Sequence, residues 1–555
     1  MEFCFYNNTV MTRLLHITLL TLISLYASAQ FVIFGNPKQS NISNNGFTVG
    51  YSTNITAGSI LKYGLTNSLE LGYIGNGQST TNHNINLTGL QPASFYYVRP
   101  CAINGVDTVQ STKTYLYSTA SNSTGVIKVF FNKSIDNTVS NGTFPTLSNS
   151  PAAIQAEMIK RIDSARTKID CAVYNNNTSA IVTALNNAHN RGVRVRYIAD
   201  DGTSNTALSA AQFPVLYVNS LDLMHNKFMV TDVDSVNKSF VWTGSMNWTS
   251  NNINDDYNNV VLIQDQALAK AYVVEFDEMW GSNGSSPNAT LSKAGSLKTD
   301  NTPHFFNIGG KSIECYFSPS DKTTEQIDKA INNSGGDLQL ALLTLTRNEL
   351  GSTIVAKHQG GETVACIIEN INDQGSEYTN LTASGVETLQ HTLPFDIHHK
   401  YAIIDANTPN SDPTVITGSH NWSTAAETVN DENTLIIHDA EIANWFLQEF
   451  SKRYCELKGG TSCIYNPPIA TESIESVDFE VSIFPNPASD KINIRTSNGK
   501  ALKISIFNQL GQRIDWYEMN SNQFEISTDN FTNGSYYLHF QSDISQKTEK
   551  LIILR

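Results

Sequence analysis

Apolar and polar positions along the middle of the chain fall into a series of runs that occurs twice. From Ile127 an apolar strand (IKVFFNKSIDNT) leads into the helix-like run AAIQAEMIKRIDSA and the strand KIDCAVYN. A second helix-like run and the strand VRVRYIAD follow. From Ile313 the series recurs as IECYFSPSDKTT, TTEQIDKAINNS, LQLALLTLT, another helix-like run and TVACIIEN. Strand, helix, strand, helix, strand predicts βαβ units and a mainly parallel sheet. Two copies predict two related halves, residues 126–283 and 312–458, packed together with a site between them.

Outside the repeat the rhythm shortens to short alternating strands. GFTVGYST, SILKYG, HNINLTGL and SFYYVRPCAI, within residues 31–118, are broken by Gly, Asn and Pro as in a small β-sandwich. Within them, Leu90-Gln91-Pro92-Ala93-Ser94-Phe95-Tyr96-Tyr97-Val98 resembles the tyrosine corner of fibronectin type III domains, which implies a spacer or binding module. After a polar, proline-bearing linker at 464–477, the β pattern returns over residues 478–555. FPNPASDKINI, IFNQLGQRI, NGSYYLHF and the basic end EKLIILR resemble the C-terminal sorting domain of the type IX secretion system. That resemblance implies passage through the type IX machinery, with release or attachment at the cell surface.

The start of the chain agrees with export. Arg13, the apolar run LLHITLLTLISLY and Ala27-Ser28-Ala29 supply the three parts of a secretory signal, predicted at 1–29 with cleavage after Ala29 and Met11 as an alternative start. No later run is apolar enough to cross a bilayer, so the mature chain is expected to be secreted or at the cell surface, with no transmembrane segment. At 555 residues the chain is long enough for several domains, and 40% hydrophobic content is ample for their cores. A net charge of −15 tilts against a protein that wraps nucleic acid, since such affinity rests on Lys and Arg neutralising phosphates. Of the seven cysteines, Cys4 would leave with the signal, and Cys455 and Cys463 either close a small loop or stay as two thiols. No Cys/His cluster suggests zinc, and neither a metal nor a cofactor is expected.

Each half ends in the same constellation. LMHNKFMVTD, WTGSMNW and DDYNNVVLI close the first; DIHHKYAIID, ITGSHNW and NDENTLII close the second. Both give H-x-K-x4-D followed by G-S-x-N. The residues are His225, Lys227, Asp232, Gly244, Ser245 and Asn247, then His398, Lys400, Asp405, Gly418, Ser419 and Asn421. Residues two apart on a strand share a face, so His398 points with Lys400, and His399 points away as a spacer. Asp232 and Asp405 have the opposite parity, which suits structural hydrogen bonds. An imidazole can act as nucleophile or proton donor near neutral pH, and a neighbouring lysine supplies fixed charge for a phosphoryl group. Ser hydroxyls and Asn amides can donate to phosphate oxygens. His420, at the variable position of GSHNW, is expected to pack or lie at the surface. Trp248 and Trp422 are expected in the core.

This pair of motifs resembles the signature of the phospholipase D superfamily. The resemblance implies a multidomain chain whose central α/β part is a pseudo-twofold pair of mixed sheets flanked by helices, between N- and C-terminal β-sandwiches. It also implies a monomer whose two halves form one site. One histidine would attack phosphorus and the other would protonate the leaving alcohol, without a metal. The family's habit makes His225 the nucleophile and His398 the acid/base, with Lys227, Lys400, Ser245, Asn247, Ser419 and Asn421 around the phosphoryl oxygens. In relatives a carboxylate eleven residues past the motif Asn orients the catalytic histidine. The second half supplies Glu432 at that spacing; the first has Asn258, with Asp255 and Asp256 just upstream. On that ground His398 is the better-oriented histidine, and an exchange of roles stays open. The expected function is a secreted phosphodiesterase acting on phospholipids. The alternatives are a secreted metal-independent endonuclease, with nucleic acid as its partner, and a non-catalytic surface adhesin.

Overall fold

The structure is a computed structural model describing residues 30–105, 107–218, 222–408, 411–460, 480–497, 502–508, 513–529, 531–542 and 546–555. The expected signal at 1–29 and linker at 464–477 lie outside the described residues.

The N-terminal strands are β1 (Ile33–Ser43), β2 (Gly46–Gly64), β3 (Gly72–Thr88), β4 (Phe95–Asn104), β5 (Asp107–Gln110) and β6 (Tyr115–Ser118). They pair as one network, β1-β2-β4-β5, with β3 on β2 and β6 on β4. The 19-residue β2 makes the network continuous, because it pairs with both β3 and β4. Alternation buries Phe47, Val49, Leu61, Ile85, Leu87 and Val98, and Tyr96 packs edge-on to Phe47 at 6.4 Å.

The central region holds two eight-stranded sheets. The first contains β7 (Ile127–Phe131), β8 (Leu147–Ser148), β9 (Lys168–Val173), β10 (Arg194–Asp200), β11 (Val215–Val218), β12 (Lys227–Thr231), β13 (Phe240–Gly244) and β14 (Asn259–Gln264). Its order is β11-β10-β9-β12-β13-β14-β7-β8. The second contains β15 (Phe305–Ile308), β16 (Lys311–Ser318), β17 (Asp337–Leu342), β18 (Thr363–Ile368), β19 (Glu387–Gln390), β20 (Lys400–Ile404), β21 (Thr414–Gly418) and β22 (Glu432–His438). Its order, β19-β18-β17-β20-β21-β22-β16-β15, repeats the first over seven strands; the edge strand differs, β8 following β7 in parallel and β15 preceding β16 antiparallel to it.

Pairing is parallel where helices cross over, in β9-β10-β11 and β17-β18-β19. It is antiparallel from β9 through β12, β13 and β14 to β7, and from β17 through β20, β21 and β22 to β16. The sheets are therefore mixed rather than mainly parallel. β12 and β13, and likewise β20 and β21, are joined by only eight and nine residues, too short for a parallel crossover.

Each half has its own apolar core beneath its helices. Helices Pro151–Ser164 and Ser179–Asn190 bury Ile154, Met158, Ile162, Ile181 and Leu185 in the first. Helices Thr323–Asn332 and Asn348–Gln359 bury Ile327, Ile331, Leu350 and Ile354 in the second. Two longer helices, Gln266–Trp280 and Ala440–Leu457, start on Asp265 and Asp439, whose carboxylates accept from Leu268 N at 2.8 Å and Ile442 N at 3.0 Å. They lie where the halves meet: Tyr272 packs edge-on to Phe317 at 5.0 Å, and Phe446 to Phe131 at 5.2 Å.

At the C-terminus, β23 (Val481–Phe484), β24 (Lys491–Thr496) and β27 (Gln523–Ser527) form one sheet. β25 (Leu502–Asn508), β26 (Arg513–Met519), β28 (Gly534–Gln541) and β29 (Gln546–Ile553) form another. Ile492, Ile494, Ile504, Ile506, Leu538 and Phe540 fill the core they share. Cys455 is disulfide-bonded, and Cys101, Cys171, Cys315 and Cys366 are free thiols; Cys463 lies outside the described residues. Among the described residues no helix is long and apolar enough to cross a membrane.

Candidate active site

The two H-x-K stretches lead into the strands β12 and β20, each beside the parallel part of its sheet. All four side chains are buried. Each lysine folds back on its own motif: Lys227 Nζ donates to His225 O at 2.6 Å, and Lys400 Nζ to His398 O at 2.8 Å. Asp232 and Asp405 follow the strands at φ +45° and +58°. Asp232 accepts from the backbone N–H groups of Arg166, Thr167 and Lys168, and Asp405 from those of Gly335, Gly336 and Asp337. Both aspartates pin the start of the neighbouring strand, β9 or β17, as their parity suggested.

The G-S-x-N turns bring the next strand close. At Gly244 (φ +145°) a Cβ would sit 2.3 Å from Asn259 O, and at Gly418 (φ +149°) 2.1 Å from Asn433 O. Only glycine permits that approach. It lets Ser245 N and Ser419 N donate to those same carbonyls at 3.1 and 3.0 Å.

The histidines are oriented from the opposite half. His225 Nδ1–H donates to Glu432 Oε1 at 2.8 Å, and His398 Nδ1–H donates to Asn258 Oδ1 at 2.9 Å. Glu432 therefore does not serve His398, as its spacing within the second half suggested; it serves His225. The reason is backbone register. A parallel bridge between Met224 and Asp431 sets His225 beside Glu432, and one between Tyr257 and Ile397 sets Asn258 beside His398. Sequence spacing fixes which residue begins the strand, but not which half its side chain enters.

The serines support these acceptors. Ser245 donates to Asn258 Oδ1 at 2.8 Å, and the Ser419 hydroxyl faces Glu432 and favours its charge. Ser245, expected on a phosphoryl oxygen, thus has its proton committed elsewhere. The amide oxygens of Asn247 and Asn421 are buried without a hydrogen-bond partner. Tyr174, which the motif comparison does not single out, packs edge-on to His225 at 4.8 Å and lies 5.2 Å from Lys227 Nζ.

The spacer positions hold the halves together. His399 accepts from Asn259 Nδ2 at 3.1 Å, and its Nε2 lies 3.1 Å from Glu449 Oε1. At the corresponding place in the first half, Asn226 accepts from Asn433 Nδ2 at 2.7 Å. Asn433 also accepts from Thr243 at 2.6 Å, and Asn259 from Thr417 at 2.8 Å. His420 is buried, with Nδ1 3.2 Å from Ser318 Oγ, and Trp248 and Trp422 are in the two cores.

Burial dominates the electrostatics. It holds both catalytic-motif histidines well below the usual imidazole range, helped by Lys227 and Lys400. It lowers Lys400 and brings Lys227 down to about 7. It pushes Glu432 up to about 7, against the pull of Lys227. The His225–Glu432 contact is then a hydrogen bond from a neutral ring, since burial and two lysines outweigh one carboxylate. The pocket has more bases than carboxylates and is short of negative charge. An arriving phosphodiester anion would favour protonation of both lysines and of an imidazole. Among the described residues no group of three or more His, Cys, Asp or Glu side chains is placed to hold a metal ion.

Comparison with known proteins agrees with the doubled site. Residues 158–280 and 327–454 match the phospholipase D-like domain described for cardiolipin synthase, and residues 482–554 match a secretion system C-terminal sorting domain. The mitochondrial cardiolipin hydrolase of Chlamydomonas reinhardtii is 26% identical over 146 residues, covering 26% of this chain and 63% of that protein. The phospholipase D of Rickettsia prowazekii is 31% identical over 147 residues, covering 25% of this chain and 66% of that protein. The chain thus spans less than two thirds of the length of each of these relatives. The crystal structure of phosphatidylserine synthase from Haemophilus influenzae superposes with a TM-score of 0.40 at 14% identity, over 55% of this chain and 83% of that one. The sorting domain indicates type IX secretion, to the cell surface or beyond. With two matched repeats, each closing on its own H-x-K and G-S-x-N set, residues 158–280 and 327–454 of the chain are phospholipase D-like repeats.

Proposed function

We propose that this protein is an exported phosphodiesterase that cleaves phospholipids through a phosphohistidine on His225, with His398 as acid/base. The observation that carries the assignment is the unequal pair of orienting groups: a carboxylate behind His225 and a neutral amide behind His398. An anionic acceptor on Nδ1–H makes Nε2 a better nucleophile and stabilises the cationic ring of the adduct. A neutral amide holds its ring in place while leaving it free to take up and release a proton.

In the first step the His225 Nε2 lone pair attacks phosphorus, the P–O bond to the leaving alcohol breaks, and protonated His398 gives that oxygen its proton. In the second, His398 takes a proton from water, hydroxide attacks phosphorus, and the P–N bond breaks to restore His225. Lys227, Lys400, Asn247 and Asn421 surround the phosphoryl oxygens. Asp232 and Asp405 support the two motif strands. Asp255, Asp256 and Asp396 flank the His398 junction with Lys133, Arg453 and Lys400 nearby, so the approach offers no excess of cations to a long polyanion such as nucleic acid. The mature chain would begin at Gln30, pass the outer membrane on its sorting domain, and work as a monomer. The N-terminal strands would serve as a fibronectin type III-like spacer.

The test offers the purified chain vesicles of phosphatidylcholine, phosphatidylethanolamine or cardiolipin, and plasmid DNA, all with chelator. Phospholipid cleavage is expected, falling by about 10³-fold in His225→Ala and in His398→Ala. Mass spectrometry of quenched protein should place phosphate on His225. Cleavage of DNA but no lipid would replace the substrate; turnover surviving both substitutions would end the assignment.

A further inference from the structure

The segment joining the two halves places a buried cation at the His225–Glu432 junction. The Lys298 side chain is fully buried; its ammonium pairs with Glu275, on helix Gln266–Trp280, and lies 3.2 Å from Asp431 Oδ1. Asp431 is also fully buried and directly precedes Glu432. Its Oδ1 accepts the Gly295 N–H at 2.8 Å, its N–H donates to Leu223 O at 2.8 Å, and its Oδ2 has no hydrogen-bond partner. One residue therefore ties together the joining segment, the lead into His225 and the lead into Glu432. Asn430 Oδ1 reinforces the contact by accepting Leu223 N–H at 3.2 Å, and Asp200 by accepting Met224 N–H at 2.9 Å.

The opposite junction is built differently. Tyr257 stands where Asp431 stands, one residue before the orienting Asn258, and its ring lies 4.7 Å from the Arg453 guanidinium. A buried carboxylate directly preceding the orienting residue is thus found at the His225 junction and not at the other. Glu432 faces Lys227, Lys400, His420 and His225; Asp431 faces Lys298, Glu432 and Asp200; Asp321 lies near both Lys298 and Glu275. Without the Lys298 charge, Asp431 and Glu275 would be unneutralised, and buried carboxylates near one another keep each other protonated.

We propose that Lys298 is a positioning residue of the catalytic centre, which holds Asp431 against the lead into His225 and keeps Glu432 anionic as the partner of His225. This rests on the roles given to His225 and Glu432 above. The test follows the His225 imidazole ¹⁵N shifts in histidine-labelled full chain as pH is varied, alongside kcat/KM on bis(4-nitrophenyl) phosphate. Lys298→Met should raise the midpoint by about one pH unit, and the acid limb of kcat/KM with it, while kcat above that limb recovers to within about threefold. Asp431→Asn removes one of the competing carboxylates and should move the midpoint down. Folded Lys298→Met with an unmoved midpoint overturns the proposal. If Lys298→Met fails to fold, Asp431→Asn decides: a lowered midpoint supports it, and an unmoved or raised one overturns it. Turnover surviving in His225→Ala would remove the catalytic reading, while the NMR midpoints would still decide what Lys298 does to Glu432.

Discussion

At the scale of single residues, the site is governed by burial acting on groups of opposite sign. Glu432 and Lys227 are both brought to about 7, one from below and one from above. Since kcat/KM reports ionisations of the free enzyme, the signs follow directly. As pH falls through 7, Glu432 takes a proton and His225 loses its anionic partner; as pH rises through 7, Lys227 loses its charge. An acid limb near pH 7 from Glu432 is expected in kcat/KM, with an alkaline limb to which loss of the Lys227 charge and of the His398 proton both contribute. Glu432→Gln keeps an acceptor for His225 Nδ1–H but removes the titrating charge. It should abolish the acid limb, preserve the alkaline one, and lower kcat by about 10²-fold. A pH–rate series on the two proteins checks this, and an acid limb that persists in the variant would detach it from Glu432.

At the scale of elements, the motif strands are held by short-range devices that the sequence displays openly. The x4 spacing to Asp232 and Asp405 and the glycine of each G-S-x-N turn are local, so their roles follow from parity and from the space a Cβ would need. Gly418→Ala places a methyl group against Asn433 O in a backbone region that favours glycine. It should cost about 3 kcal/mol in urea denaturation, through overpacking and strain, and Gly244→Ala about as much. A loss below about 1 kcal/mol would show that β21 and β22 can separate without penalty. The reading of His399 as a spacer was legible for the same reason: alternation along β20 turns it from Lys400 toward Asn259 and Glu449. What alternation does not contain is the partner of Glu432. Strand parity says that Glu432 leaves its sheet on the site face; only the bridge between Met224 and Asp431 says that it meets His225. Lys298 was illegible for a related reason. It lies on an irregular segment with no period, 133 positions before the Asp431 that it neutralises.

At the scale of the whole molecule, neither half contains a working site. His225 depends on Glu432 and His398 on Asn258, so each histidine is oriented by a residue of the other repeat. The same exchange holds the halves together. Asn433 bonds Asn226, Thr243 and Tyr272 of the first half, and Asn259 bonds His399 and Thr417 of the second. These are buried amides, and losing one leaves several groups unsatisfied, at about 1–3 kcal/mol for each. Separation of the halves is therefore costly, and one chain should build one site from its own two repeats. That arrangement predicts the outcome of mixing two inactive proteins, His225→Ala and His398→Ala. If every site is made within a chain, each chain lacks one histidine and the mixture stays inactive at any ratio and concentration. If repeats pair between chains, some of the mixed sites recover both histidines, and activity returns up to about a quarter of the unsubstituted level. An inactive mixture, together with a single monomer peak in sedimentation, would show that the repeat works as an internal pair.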